Sequence, residues 1–193
     1  MKEEDILNEK NVFIGVCGGI AAYKVASLVS SLNKAGANVR VIMTEAAKEF
    51  INPMTFQGLS GLPVEDEIFV SSRNESVKHI SLARKADIFV IAPATYNTIG
   101  KLANGIADNL LTATLPASNC PVLLCPSMDV GMYNNRINQF NLEDLAKQGW
   151  RIMEPEEGRL ASGKKGKGRL PEPGNIFERI KDILEEGNIL KGK

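Results

Sequence analysis

The 193-residue chain predicts a doubly wound α/β fold, a mostly parallel sheet covered by helices on both faces. Three observations carry this. Short apolar runs alternate with stretches of helical periodicity along the chain. The runs are apolar throughout, the pattern of strands buried on both sides. The length suits one domain with a sizeable core.

NVFIGV (11–16) is β-branched and apolar and ends near glycine, so it reads as the first strand. A helix follows, because Val25, Leu28, Val29 and Leu32 fall at i, i+3, i+4 and i+7, and Gly36 ends it. NVRVIM (38–43) is a second strand, with Thr44 placed to cap the helical run EAAKEF. DIFVIA (87–92) and PVLLC (121–125) are further buried strands. Between them YNTIGKLANGIADNLLTATL alternates helix formers with glycine. WRIME (150–154) reads as a last strand and NIFERIKDILEE (175–186) as a closing amphipathic helix. The segment GRLASGKKGKGRLPEP (158–173), rich in Gly and Lys, is expected to be a mobile loop. No repeat interrupts this order, and residues 1–193 are expected to form a single domain.

Composition narrows the function classes. The 23 basic and 23 acidic residues cancel, so electrostatics favours neither nucleic acid nor an anionic membrane as partner. No apolar run approaches the ~18 residues of a bilayer span. The charged start MKEEDILNEK does not resemble a signal peptide. Cys17, Cys120 and Cys125 form no C-x-x-C, and His79 is the only histidine, so no metal site is expected. Three free thiols fit a reducing, cytoplasmic setting.

Ligands of such a sheet bind beyond the carboxyl ends of its strands. GVCGGIAAYK (15–24) places Gly18, Gly19 and Ile20 at the first of these ends. Glycines there let backbone approach a ligand, and a helix start favours an electron-rich group. The stretch is not a G-x-G-x-x-G fingerprint. The second strand ends in Met43-Thr44 and not in the acid that grips an NAD ribose, with Glu45 one place later, so a dinucleotide is disfavoured. A tight turn without a ligand is the competing reading. In APATYNT (92–98), Thr95, Tyr96, Asn97 and Thr98 crowd a helix start, either as caps or as donors to a phosphate or heterocycle. PSMDVGMYNN (126–135) is too apolar for a solvated turn and too polar for core. His79 taken alone reads as structural.

Together these segments resemble the homo-oligomeric flavin-containing cysteine decarboxylases. That family includes the phosphopantothenoylcysteine decarboxylases of coenzyme A biosynthesis and the enzymes that modify lantibiotic peptides. The resemblance runs from Asn11 to Pro173. GGIAAYK is similar to the family's first glycine turn, and HISLARKADIFVIAPATYNT to its histidine segment and PASANT motif. LANGIADNLL matches the stretch that follows, and PSMDVGMYNN is similar to PxMNxxMW. GGIAAYK, NPMTFQGLSG (52–61) and GKGR point towards the coenzyme A branch, whose substrate is phosphopantothenoylcysteine.

The resemblance implies a Rossmann-like flavoprotein domain that binds FMN between subunits of a trimer, with trimers often built into a dodecamer. It assigns the flavin to Gly18, Gly19, Ile20, Thr44, Thr95, Tyr96, Asn97, Thr98, Ser127 and Met128, and proton transfer to His79. It places Asp129 and Met132 at the substrate and Ser162 at a catalytic position on a flap. It also implies that residues 187–193 resemble a linker into a synthetase domain. Two positions depart from the family pattern: Asp129 replaces an asparagine that donates to the substrate carboxylate, and Ser162 replaces a cysteine that supplies a proton. An ionised Asp129 repels a carboxylate unless a cation intervenes. Lys164, Lys165, Lys167 and Arg169 are expected to fold over the anionic substrate, one of them offsetting Asp129; a solvated basic loop is the competing reading. Loss of the cysteine also suits the lantibiotic-type reaction, which stops at the oxidised enethiol. A non-catalytic flavin-binding regulator, like the eukaryotic relatives that inhibit phosphatases, is the third reading.

Overall fold

In the computed structural model, residues 6–68 and 78–191 are described; residues 1–5, 69–77 and 192–193 lie outside them. The charged first five residues and the last two of the expected linker therefore fall outside the described part. Five parallel strands form the sheet: β1 (Asn11–Val16), β2 (Asn38–Met43), β3 (Ile88–Ala94), β4 (Val122–Pro126) and β5 (Arg151–Ile152). Their order is β2-β1-β3-β4-β5. The chain winds one way from β1 to β2 and the other way from β3 onwards, so the order reverses between β1 and β3.

The alternation of side chains along β1 shows why both faces are covered. Val12, Ile14 and Val16 pack into one core with Val25, Leu28, Val29 and Leu32 of α1 (Ala22–Lys34) and Ile176, Ile180 and Ile183 of the C-terminal helix. Phe13 faces the other core, with its ring centroid 5.1 Å from that of Phe89. Gly15 is part of the same packing, because a Cβ there would lie 2.5 Å from Leu111 Cδ1. After β2 come two short helices, α2 (Glu45–Lys48) and α3 (Pro53–Ser60). The second face is closed by α4 (Lys78–Lys85), α5 (Tyr96–Ala103), α6 (Leu110–Thr114) and, beyond the one-turn α7 (Val130–Tyr133), α8 (Arg136–Lys147).

Three sequence expectations change. WRIME contributes only two strand residues, at the sheet edge beside β4. The closing helix α9 runs from Pro173 to Lys191, longer at both ends than NIFERIKDILEE. The Gly-Lys segment is not a loop: β6 (Glu156–Arg159) and β7 (Lys165–Arg169) form an antiparallel hairpin across it. Among the described residues no helix is long and apolar enough to cross a membrane.

Candidate active site

The reversal of strand order opens a crevice at the carboxyl ends of β1 and β3, where a doubly wound sheet binds its ligands. A cleft of about 680 Å³ lies there. Its floor is Gly18, Gly19 and Ile20 after β1 and Thr95 and Tyr96 after β3. One wall is Ser127, Met128, Asp129 and Met132 after β4, and the hairpin supplies the other through Arg159, Leu160, Ser162 and Arg169. A Cβ on Gly18 would lie 2.5 Å from Ala46 Cβ, whereas one on Gly19 would meet only Pro93 and Thr95, at 3.8 Å. Gly18 thus permits close packing on α2, and the space above Gly19 is open.

The hairpin is held against the loop after β4 by backbone. Met128 N–H donates to Gly168 O at 3.0 Å, and Ser127 Oγ donates to the same oxygen at 3.3 Å. The approach is so close that a Cβ on Gly168 would fall 2.2 Å from Met128 O. At the tip, Ser162 Oγ donates to Asp129 Oδ2 at 2.6 Å, and Lys164 Nζ lies 3.6 Å from Oδ1. Asp129 Oδ1 also accepts from Gly131 N at 2.9 Å, capping α7. The Ser162 hydroxyl, then the Gly131 amide and the Lys164 ammonium, hold the Asp129 carboxyl below its ordinary range. Asp129 is therefore an ionised anchor with a cation beside it.

Other predicted residues fall elsewhere. Thr95 Oγ1 accepts from Thr98 N at 3.4 Å and donates to Thr98 Oγ1 at 3.2 Å, so these hydroxyls bond each other at the cap of α5. Thr98 is buried and Asn97 is exposed, and neither lines the cleft. Thr44 occupies the N-cap position of α2 without a side-chain capping bond, and its buried Oγ1 has no partner among the described residues. His79 is in α4, beside Lys78, whose Nζ lies 2.9 Å from Glu65 Oε2. Its Nδ1 is likewise buried and unpartnered, and it does not line the cleft. Of the four flap cations only Arg169 lines the cleft; it pairs with Glu172, while Lys167 pairs with Glu154.

Sequence reasoning missed Tyr23, Lys24 and Arg159 in the lining. The period of α1 already turns Tyr23 and Lys24 away from the core, towards the strand ends. Arg159 carried no signal until the hairpin was known.

The sequence matches the Flavoprotein family over residues 1–185. It is 50% identical over 190 residues to the coenzyme A biosynthesis bifunctional protein CoaBC of Bacillus subtilis, covering 97% of this chain and 47% of that one. The corresponding protein of Haemophilus influenzae is 40% identical over 186 residues, covering 96% and 46%. The chain thus spans about half the length of these relatives. Among solved structures, a PPC decarboxylase mutant complexed with pantothenoylaminoethenethiol superposes with a TM-score of 0.85 at 30% identity, covering 92% of this chain and 100% of that one. The FMN-binding protein AtHal3 gives 0.83 at 29%, covering 93% and 98%. The cysteine decarboxylase SpaF, described as FMN-dependent, gives 0.80 at 28%, again covering 93% and 98%. With a family match over most of its length and a cleft at the sheet's switch point, the chain belongs to the Flavoprotein family.

Proposed function

We propose that this chain is an FMN-dependent decarboxylase module of coenzyme A biosynthesis, converting phosphopantothenoylcysteine to phosphopantetheine and CO2. The observation that carries the reading is the meeting of Asp129 and Ser162 at a cleft on the sheet's switch point, with Lys164 behind Asp129 at the hairpin tip. The bifunctional relatives and the decarboxylase neighbour support it. A synthetase partner domain, implied by the word bifunctional, belongs to the same proposal, as does a cytoplasmic setting.

The cleft residues suit a flavin. Bare backbone at Gly18 and Gly19, the polarizable side chains of Met128 and Met132, and the exposed faces of Ile20 and Tyr23 offer an apolar slot with backbone N–H groups at one end. The bound flavin would supply a two-electron acceptor and donor, so that the electron pair left by departing CO2 is delocalised onto sulfur. The chain's own residues bind and position. Lys164 beside Asp129 offsets the carboxylate's charge at the position where the family uses an asparagine amide towards the substrate carboxylate. Ser162 donates its hydroxyl proton to Asp129, which fixes the hairpin tip.

His79, proposed as the proton-transfer group, lies outside this cleft, and so does Thr44. Both residues take their proposed roles only in an assembly in which a second copy completes the site. We place FMN between subunits of a homotrimer, or of a dodecamer assembled from such trimers. Ile137 and Phe140, 63% and 55% exposed on α8, and Ile20, 60% exposed at the cleft, are apolar surface that such contacts cover.

The test is anaerobic incubation of the FMN-loaded protein with phosphopantothenoylcysteine, following flavin absorbance and product mass. Turnover to the saturated thiol without net flavin reduction is expected. A second reading, oxidative decarboxylation of a peptide C-terminal cysteine, is favoured by Ser162 at the position of the family's thiol. Stoichiometric bleaching with a product two hydrogens lighter would establish that reading instead. FMN binding with no CO2 release from either substrate class would leave the regulator.

A further inference from the structure

We propose that Arg159 and Lys165 form a seat for a phosphate monoester at the edge of the cleft; the inference rests on the functional reading above. The two residues are directly paired across the β6–β7 ladder. Side chains so paired leave the same face of an antiparallel ladder with Cβ atoms about 5 Å apart, and like charges placed there repel. The neighbouring cations are each matched by a carboxylate: Lys164 by Asp129, Lys167 by Glu154, and Arg169 and Lys24 by Glu172. Arg159 and Lys165 have no carboxylate partner among the described residues, and both are exposed. Arg159 lines the cleft. An uncompensated like-charge pair at a ligand cleft is what an anion neutralises.

The chemistry of the pair selects the anion. A phosphate monoester carries close to two negative charges at neutral pH and three acceptor oxygens. A guanidinium offers it a planar fork and an ammonium a point charge. Gly166 in β7 faces Val130 of the loop that carries Asp129, and adjacent strand positions point to opposite faces, so Lys165 projects away from that loop. Opposite faces separate the phosphate seat from the position that meets the substrate carboxylate, as an elongated substrate with a charge at each end requires.

Two phosphate monoesters are candidates, the substrate's and the flavin's, and the experiment separates them. Binding of phosphopantetheine and of pantetheine to the FMN-loaded protein is measured by calorimetry, beside binding of FMN and of riboflavin to the flavin-free protein. Wild type is expected to prefer phosphopantetheine by at least about tenfold, the worth of one partly exposed charge-assisted contact. That preference should shrink with added salt. In the double variant R159Q/K165Q it should fall to about twofold, and Arg159→Lys should restore part of it. If the loss appears instead as a lost preference for FMN over riboflavin, the seat belongs to the flavin phosphate. A double variant that keeps both preferences overturns the proposal. Binding is read without turnover, so a wild-type protein that releases no CO2 would sink the functional reading and leave this test standing.

Discussion

Replacing Gly168 with alanine should undock the hairpin. The added Cβ would sit 2.2 Å from Met128 O and 3.3 Å from Leu160 Cδ2. Real Cβ contacts essentially never fall below 3.0 Å, so the strand must retreat by 0.8 Å or more from a backbone oxygen that cannot rotate away. Retreat breaks the bonds from Met128 N (3.0 Å) and Ser127 Oγ (3.3 Å) to Gly168 O. At about 1 kcal/mol each, the docked state loses about 2 kcal/mol, roughly thirtyfold in the open population. Amide hydrogen exchange at Met128 reads this directly and should accelerate by that factor, while amides of β1 and β3 hold their protection. Gly58→Ala is the control. Nothing lies within 4 Å of a Cβ there, and it sits inside α3, so it should stabilise by about 0.5–1 kcal/mol. Unchanged Met128 protection in Gly168→Ala would refute the claim that this glycine is what lets the hairpin close.

Three other outcomes follow from the same contacts. The Asp129 carboxyl is depressed, so its contribution is complete above the ordinary aspartate value of about 3.9 and is lost as pH falls through its lower folded value. The carboxyl carbon-13 shift of Asp129 should therefore titrate at lower pH than in Ser162→Ala; a coincident titration would show that the serine bond is not the cause. Asn109→Ala should remove the side-chain half of the capping box on α6, the 3.0 Å bond that Thr112 N donates to Asn109 Oδ1, and keep the 3.3 Å bond from the backbone N–H of residue 109 to Thr112 Oγ1. That costs about 1 kcal/mol, lowering Tm by roughly 2–4 °C, and calorimetry would detect it. Burial pushes the thiols of Cys17 and Cys120 up to about 11 and raises that of Cys125, so exposure and not acidity ranks Cys120 ahead of Cys17. In the folded protein at pH 8 a thiol reagent should modify partly buried Cys120 first, and mass spectrometry that found Cys17 labelled ahead of it would contradict the packing.

The central strands were readable because they are buried on both faces: VFIGV, IFVIA and VLLC are continuous apolar runs that no exposed element resembles. The hairpin was not readable. EEGR and KGKGR carry neither apolar alternation nor β-branched residues, and their ladder depends on glycines packed against Met128 and Val130, a relation between distant segments. The start of α9 was missed by two residues because Pro173 opens the helix, a place where proline's missing N–H costs nothing. At the site, residues next to strand ends were legible from topology, since Gly18, Thr95 and Met128 follow β1, β3 and β4 directly. Chemistry alone ranked Thr98 beside Thr95, but the helix turn buries one and leaves the other at the cleft. The flap lysines were chosen by charge, and pairing with carboxylates then divided them.

Asp129 caps α7 with the same carboxylate that receives Ser162. One side chain thus belongs to two grammars at once, the local one of a helix start and the long-range one of the hairpin tip. Transplanting the loop after β4 from a relative with asparagine at this position would keep the cap and leave the Ser162 hydroxyl facing an amide, with the charge that holds Lys164 gone. Transplanting only the hairpin tip would put a thiol against a carboxylate. Positions 129 and 162 are therefore exchangeable as a pair and poorly exchangeable one at a time, and chimeras of this domain should be cut so that both come from the same parent.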